Sequence, residues 1–188
     1  AYGRVREQLV THDPRYPQMN DLLKVVKGGN PIAGLESVGP CKDTDASRHI
    51  ITVGDTPDPR PLWITVWGGT TDLAQALWRV REDRGEEGAQ QFVRHLRVHA
   101  IGDQDDTGPW IREQFRDLFY ITDYKAFRGM YRTGDPSICD GAWVEENIRQ
   151  GHGPLGAIYP NYNGGDPWGK VTGVKEGDTP SFLYVLPV

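Results

Sequence analysis

The run Leu62-Trp63-Ile64-Thr65-Val66-Trp67 carries no charge and consists almost entirely of aliphatic, β-branched and aromatic side chains. A continuous apolar stretch of this length fits a strand buried on both faces, as in a parallel sheet. The proline-rich connector Asp55 to Pro61 feeds it. Gly68-Gly69-Thr70-Thr71 then turns into a helix whose apolar positions are Leu73, Ala74, Ala76, Leu77 and Val80, with Thr70 or Thr71 as its cap. A further helical turn or two is expected over Gln90 to Leu96, and a second strand over Arg97 to Ile101. Pro109 to Phe115 reads as helix and Leu118 to Ile121 as a third strand. Strands alternating with helices imply right-handed crossovers and a mostly parallel sheet with flanking helices. The fold class is therefore α/β.

Shorter elements flank this region. Arg4 to Val10 has weak helical spacing and stops before Pro14, whose ring blocks continuation. Gln18 to Lys27 forms a second short helix with Met19, Leu22, Leu23, Val25 and Val26 as its apolar face, ended by Gly28-Gly29. Asn30 to Thr44 is loop, and Asp45 caps a helix through Ile50, Ile51 and Val53 to Gly54. Towards the C-terminus, Gly141 to Gln150 is helical with Ala142, Val144 and Ile148 inward. Gly151 to Leu155 turns into a short helix, and Asn161 to Gly173 is an exposed loop. Asp178 caps a last helix, with Pro180 in its first turn. No repeat or linker divides the 188 residues, which suit a single domain over 1–188.

One loop stands out chemically. Asp103-Gln104-Asp105-Asp106 follows the second expected strand and leads into Thr107-Gly108-Pro109-Trp110. Three carboxylates so close repel one another unless water, a cation or a polyhydroxylated ligand absorbs the charge. Ligands in open α/β sheets gather at the carboxyl ends of strands, which is where this loop falls. The plainer reading, an exposed acidic turn with Asp106 or Thr107 capping the next helix, stands beside it.

The bulk properties narrow the partners. A net charge of −5 with no basic stripe argues against a nucleic acid polymer. No apolar run approaches the roughly 20 residues of a membrane span, and no signal-peptide core follows Ala1. Cys41 and Cys139 lack metal or redox spacing and are open to two readings, one disulfide or two buried thiols. Six Trp supply surfaces that stack on sugars or bases as readily as they fill a core.

Several motifs add up to a resemblance. His12-Asp13-Pro14-Arg15-Tyr16-Pro17, Asp58-Pro59-Arg60-Pro61-Leu62-Trp63, Trp67-Gly68-Gly69, Asp103-Gln104-Asp105-Asp106, Gly153-Pro154-Leu155 and Glu176-Gly177-Asp178-Thr179-Pro180-Ser181-Phe182 occur in this order. Together they resemble the nucleoside-hydrolase-like domain of the bacterial cellulose-binding protein family, itself distantly similar to inosine-uridine nucleoside hydrolases. That resemblance implies a Rossmann-like three-layer fold, here N-terminally incomplete and lacking the first strand. It implies hydrolysis of N-glycosyl bonds by a calcium-activated water, calcium being a hard cation that takes 6–8 oxygens. Trp67-Gly68-Gly69-Thr70-Thr71-Asp72 is similar to the strand-end segment whose main-chain carbonyl, here Trp67 or Val66, helps hold the ion. Asp178 matches the late metal-binding acid, although Gly177 stands where those hydrolases carry a histidine.

By the same resemblance Asp103, Gln104, Asp105, Asp106, Trp67 and Asp72 are expected to line the substrate, with Trp67 and Asp178 on the metal. The aspartate cluster that supplies the water-activating base has no counterpart here, so the catalytic residues are unassigned and the chain is expected to be inactive by itself. The rival is a non-catalytic carbohydrate-binding (cellulose-binding) domain in which Trp67, Trp110, Trp143 and Trp168 offer stacking surfaces. Either way the expected partner is a small glycoside or carbohydrate. A homo-oligomer is allowed, and the family resemblance favours a secreted or periplasmic setting. His152, His12 and Arg60 read as turn and surface residues, and Asn161, Asn163 and Asp166 lack EF-hand spacing.

Overall fold

The computed structural model describes residues 1–124, 135–163, 172–174 and 178. By chain contacts the protein divides into two compact units, Ala1–Val26 with Arg128–Gly177, and Lys27–Phe127 with Asp178–Val188.

The second unit carries the sheet. Strands β1 (Leu62–Val66), β2 (Leu96–Ala100) and β3 (Phe119–Thr122) are parallel and lie in sequential order. Helix α4 (Thr71–Arg94) joins the first pair and α5 (Thr107–Gln114) the second. The register aligns Ile64 with Val98 and Tyr120, and Val66 with Ala100 and Thr122. Because side chains alternate along a strand, Leu62, Ile64, Val66, Leu96, Val98 and Ala100 share one face. That face packs with Leu73, Leu77, Val80, Phe92, Val93, Ile111 and Phe115 in the core. Helix α3 (Asp45–Gly54) adds Ile50 and Ile51 from outside. Its Gly54 meets the Phe92 ring so closely that a Cβ there would collide.

The expected β-α-β-α-β core is present with three local differences. β2 and β3 each start one residue away from the sequence reading, because Leu96 is fully buried and Leu118 closes a turn on Phe115 instead of pairing. The helix through Val80 and the further turn expected over Gln90 to Leu96 belong to one stretch, Thr71–Arg94, broken at Gly85 (φ 69°), a backbone state that glycine adopts without strain. α3 is capped by Thr44 and not by Asp45, in a reciprocal capping box with Ser47.

The first unit is helical. α1 (Tyr2–Val10) and α2 (Met19–Val25) are joined by a turn in which Arg6 donates to the carbonyls of Tyr16 and Pro17. The apolar face expected of α2 is not buried: Leu23 is 60% and Val26 69% exposed. Two turns of helix held by Arg6 at the preceding carbonyls need no packed face to keep their place. α6 (Gly141–Val144) is capped by Asp140 and passes into a wide π-type turn over Glu145–Arg149. Arg149 there pairs with Glu145 and donates to the Tyr159 carbonyl. Val144 is buried and Ile148 half-buried as expected, but Ala142 is exposed. α7 (Gly153–Ile158) begins with Pro154 in its first turn. Tyr162–Asn163 and Thr172–Gly173 form a two-residue antiparallel ladder inside the stretch read as loop. The helix expected after Asp178 lies outside the described residues. Cys41 and Cys139 are each free thiols, Cys41 exposed and Cys139 half-buried, so the reading of two buried thiols does not hold.

Candidate site at the carboxyl ends of the strands

Three loops leave the sheet side by side. Pairing continues one residue past the strands, with Ile101 N donating to Val66 O at 3.2 Å and Asp123 N to Ala100 O at 2.8 Å. This sets Trp67, Gly102 and Tyr124 along one edge, with the outer two loops two strand spacings apart, ~10 Å. Trp67 is 44% and Tyr124 50% exposed. The Tyr124 ring lies over Gly102, close enough that a Cβ there would sit 3.1 Å from it.

The acidic loop resolves its repulsion with the chain's own donors. Asp103 takes both terminal nitrogens of Arg112 at 2.8 and 2.7 Å, and the Tyr124 hydroxyl donates to it at 2.8 Å. The Arg112 guanidinium holds the Asp103 carboxyl below the usual carboxylate range. Asp105 accepts from Thr107 N at 3.0 Å and the Thr107 hydroxyl at 2.5 Å, and on its other oxygen from the Thr71 hydroxyl at 2.8 Å. Asp106 stands at the N-cap position of α5, but its side chain accepts Leu35 N at 2.8 Å instead of capping. The helix amide is served by Asp105. Gln104 turns back and donates to the Trp67 carbonyl at 3.0 Å. Tyr120, beneath Arg112, has its phenol pushed up to about 12, first by burial and then by the Asp103 charge.

A second set of bonds ties the Gly28–Thr44 loop to the same edge. Asp72 accepts the Thr44 hydroxyl at 2.5 Å and Asn30 N at 3.3 Å. Thr71 accepts Gly34 N at 2.8 Å. Gln75, fully buried one helical turn on, bonds Gly39 N at 2.7 Å and Gly39 O at 3.1 Å, and donates to Asp43 at 2.6 Å. Arg79 continues the row with an ion pair to Asp43 at 2.9 Å. These positions fall on one face of α4 because residues three and four apart are neighbours on a helix. Glycine admits the acids: a Cβ at Gly29 would strike Asp72, at Gly69 Asp105, at Gly108 Asp103 and at Gly34 Asp106.

The structure thus joins Gln104 to Trp67 by one bond and Asp105 to Thr71 and Thr107 by others, and sets Asp103 on Arg112 and Tyr124. Asp72 and Asp106 belong to the same edge but face the Gly28–Thr44 loop. Asp178 is half-buried within the same unit. Arg112, Tyr124 and Gln75 carry no signal of a site in the sequence, and Thr71 reads there only as a helix cap; the helical spacing of Thr71, Gln75 and Arg79 is the signal available. The remaining candidates take local roles. Asp13 and Asp58 each hold the Arg two residues on, and His152 Nδ1 pairs with Gln150 O at 2.6 Å. Asn161 donates to Gly141 O, while Asp166 and Trp168 lie outside the described residues. Trp110 packs edge-on to Phe115 in the core.

The described donors of this edge do not converge as the 6–8 oxygens of a calcium shell would. Trp67 O already accepts Gln104, Val66 O accepts Ile101 N, and the carboxylates point at different partners. Among the described residues no three His, Cys, Asp or Glu side chains are arranged to hold a metal.

The whole chain, residues 1–188, matches the model of the family described as "Cellulose-binding Sde182, nucleoside hydrolase-like domain". The chain belongs to this family. A solved structure similar to it is that of a nucleoside hydrolase-related hypothetical protein from Saccharophagus degradans that is associated with carbohydrate metabolism. The two are 33% identical with a TM-score of 0.77, over 97% of this chain and 40% of the other. The chain thus spans two fifths of that protein's length. No curated protein matches it. Both the resemblance read from the motifs and the nucleoside-hydrolase-like α/β fold are borne out.

Proposed function

We propose that this nucleoside hydrolase-like domain binds a carbohydrate at the carboxyl edge of its sheet, the sugar ring lying between Trp67 and Tyr124. The observation that carries this is two exposed aromatic residues, Trp67 and Tyr124, on the same strand-end edge, beside the acidic loop 103–106, with Tyr124 lying over Gly102 and bonded to Asp103. Aromatic faces bury the apolar C–H surface of a sugar, while carboxylates accept its hydroxyls. Asp106, exposed on the rim, offers a further acceptor. The family description and the carbohydrate association of the similar Saccharophagus protein support a polyhydroxylated ligand.

Hydrolysis of an N-glycosyl bond is the alternative that the nucleoside hydrolase likeness favours. It asks for a base free to take a proton from water. Asp103 is ion-paired and Asp105 already accepts from three donors, so neither stands free as a base, while the remaining carboxylate lone pairs still accept hydroxyls, and the geometry supports binding better.

The test is titration with cello-oligosaccharides, followed by tryptophan fluorescence and calorimetry. Wild type is expected to bind, with Trp67→Ala and Tyr124→Ala each weakening affinity about tenfold, the ~1.4 kcal/mol that loss of a buried aromatic contact face would give. Asp83→Ala, on an exposed part of α4, should leave affinity unchanged. Binding that survives both aromatic substitutions, or no binding at all, would sink the assignment.

A further inference from the structure

We infer that the acids of the strand-end edge are held apart by the chain's own hydrogen-bond donors, with the Gln104 carboxamide bonded to the Trp67 carbonyl, so that the described residues keep this edge without calcium. A calcium shell needs 6–8 oxygens directed at one centre. Here the oxygens are directed apart. Trp67 O and Val66 O, the two main-chain candidates, each spend one of their two lone pairs on Gln104 Nε2 and Ile101 N. Asp105 has its oxygens on Thr107 and Thr71, Asp103 on Arg112 and Tyr124, Asp106 on Leu35 N, and Asp72 on Thr44 and Asn30 N.

Each of these acids also rests against a glycine backbone, so turning one toward a common centre would break its bonds and vacate a tight fit. The role a cation plays elsewhere, quenching repulsion among clustered carboxylates, is here filled by a guanidinium, amides and hydroxyls. This conclusion rests on the donors alone and is independent of whether a sugar binds between Trp67 and Tyr124.

The full chain is to be melted in millimolar calcium and in chelator, and titrated with terbium while tryptophan is excited. Trp67 would sensitise any lanthanide bound at its carbonyl. The expected results are superimposable melts and no saturable terbium emission that calcium displaces. Gln104→Ala should lower the melting temperature by about 2–4 °C for the lost bond, by the same amount in calcium and in chelator. Two outcomes would overturn the inference. One is a saturable calcium-induced rise in the wild-type melting temperature that Asp105→Asn abolishes. The other is recovery of the Gln104→Ala variant by calcium.

Discussion

Asp103 shows how one carboxylate can look like a ligand and act as a brace. Its two-pronged pair with Arg112 is largely shielded, with the acid side chain 16% exposed. Such a pair lies between a surface ion pair of little net value and a buried one whose rupture is costly. Asp103→Asn is expected to lower stability by about 1–3 kcal/mol near neutral pH. The sign with pH follows from the depressed carboxyl. The folded pKa lies below the unfolded value, so the contribution is complete above about pH 4 and fades as pH falls through the folded pKa. Urea melts of wild type should therefore lose stability on acidification below pH 4, and Asp103→Asn should lose less across the same window. Parallel acid limbs for the two proteins would show that Arg112 does not keep this carboxyl ionised.

Along α4 a polar row does what an apolar stripe usually does. Thr71, Asp72, Gln75 and Arg79 grip the Gly28–Thr44 loop while Leu73, Leu77 and Val80 enter the core. Gln75→Leu keeps the side-chain bulk but strands the Gly39 N–H and C=O, and unmet buried polar groups cost about 1–3 kcal/mol. Hydrogen exchange is expected to speed up at Gly34, Leu35 and Gly39, while β2 amides keep their protection. A uniform loss across the sheet would mean that Gln75 supports the core and not the loop. The helix face was readable from sequence as a 3.6-residue period; its polar cargo was not, because an isolated Gln on a helix gives no sign of burial.

The chain as a whole joins a hydrolase-like sheet to a strand-end edge whose acids are already engaged. Release of base from inosine or uridine by this chain is therefore expected to stay at background, with or without calcium. An ultraviolet assay over hours at high protein concentration is sensitive enough. Turnover lost in Asp105→Asn would show that Asp105 exchanges its hydroxyl partners for water and serves as a base. No described helix is long and apolar enough to span a bilayer.

At this scale the sequence and the fold divide the information cleanly. The sequence by itself determined the strand–helix alternation, because Leu62–Val66 and the Leu73–Val80 face are local patterns of hydrophobicity that survive in isolation. It also determined the family, through motifs such as Trp67-Gly68-Gly69 and Asp103-Gln104-Asp105-Asp106. Only the tertiary structure decided what those acids face. Asp106 reaches Leu35 across 71 positions and Asp72 reaches Asn30 across 42, and no local pattern encodes which distant amide a carboxylate will meet. The same holds for Tyr124, an ordinary tyrosine after a short strand until parallel pairing sets it on the edge that Trp67 also occupies. Hydrophobic periodicity is a property of neighbours in the chain. Charge satisfaction is a property of neighbours in space.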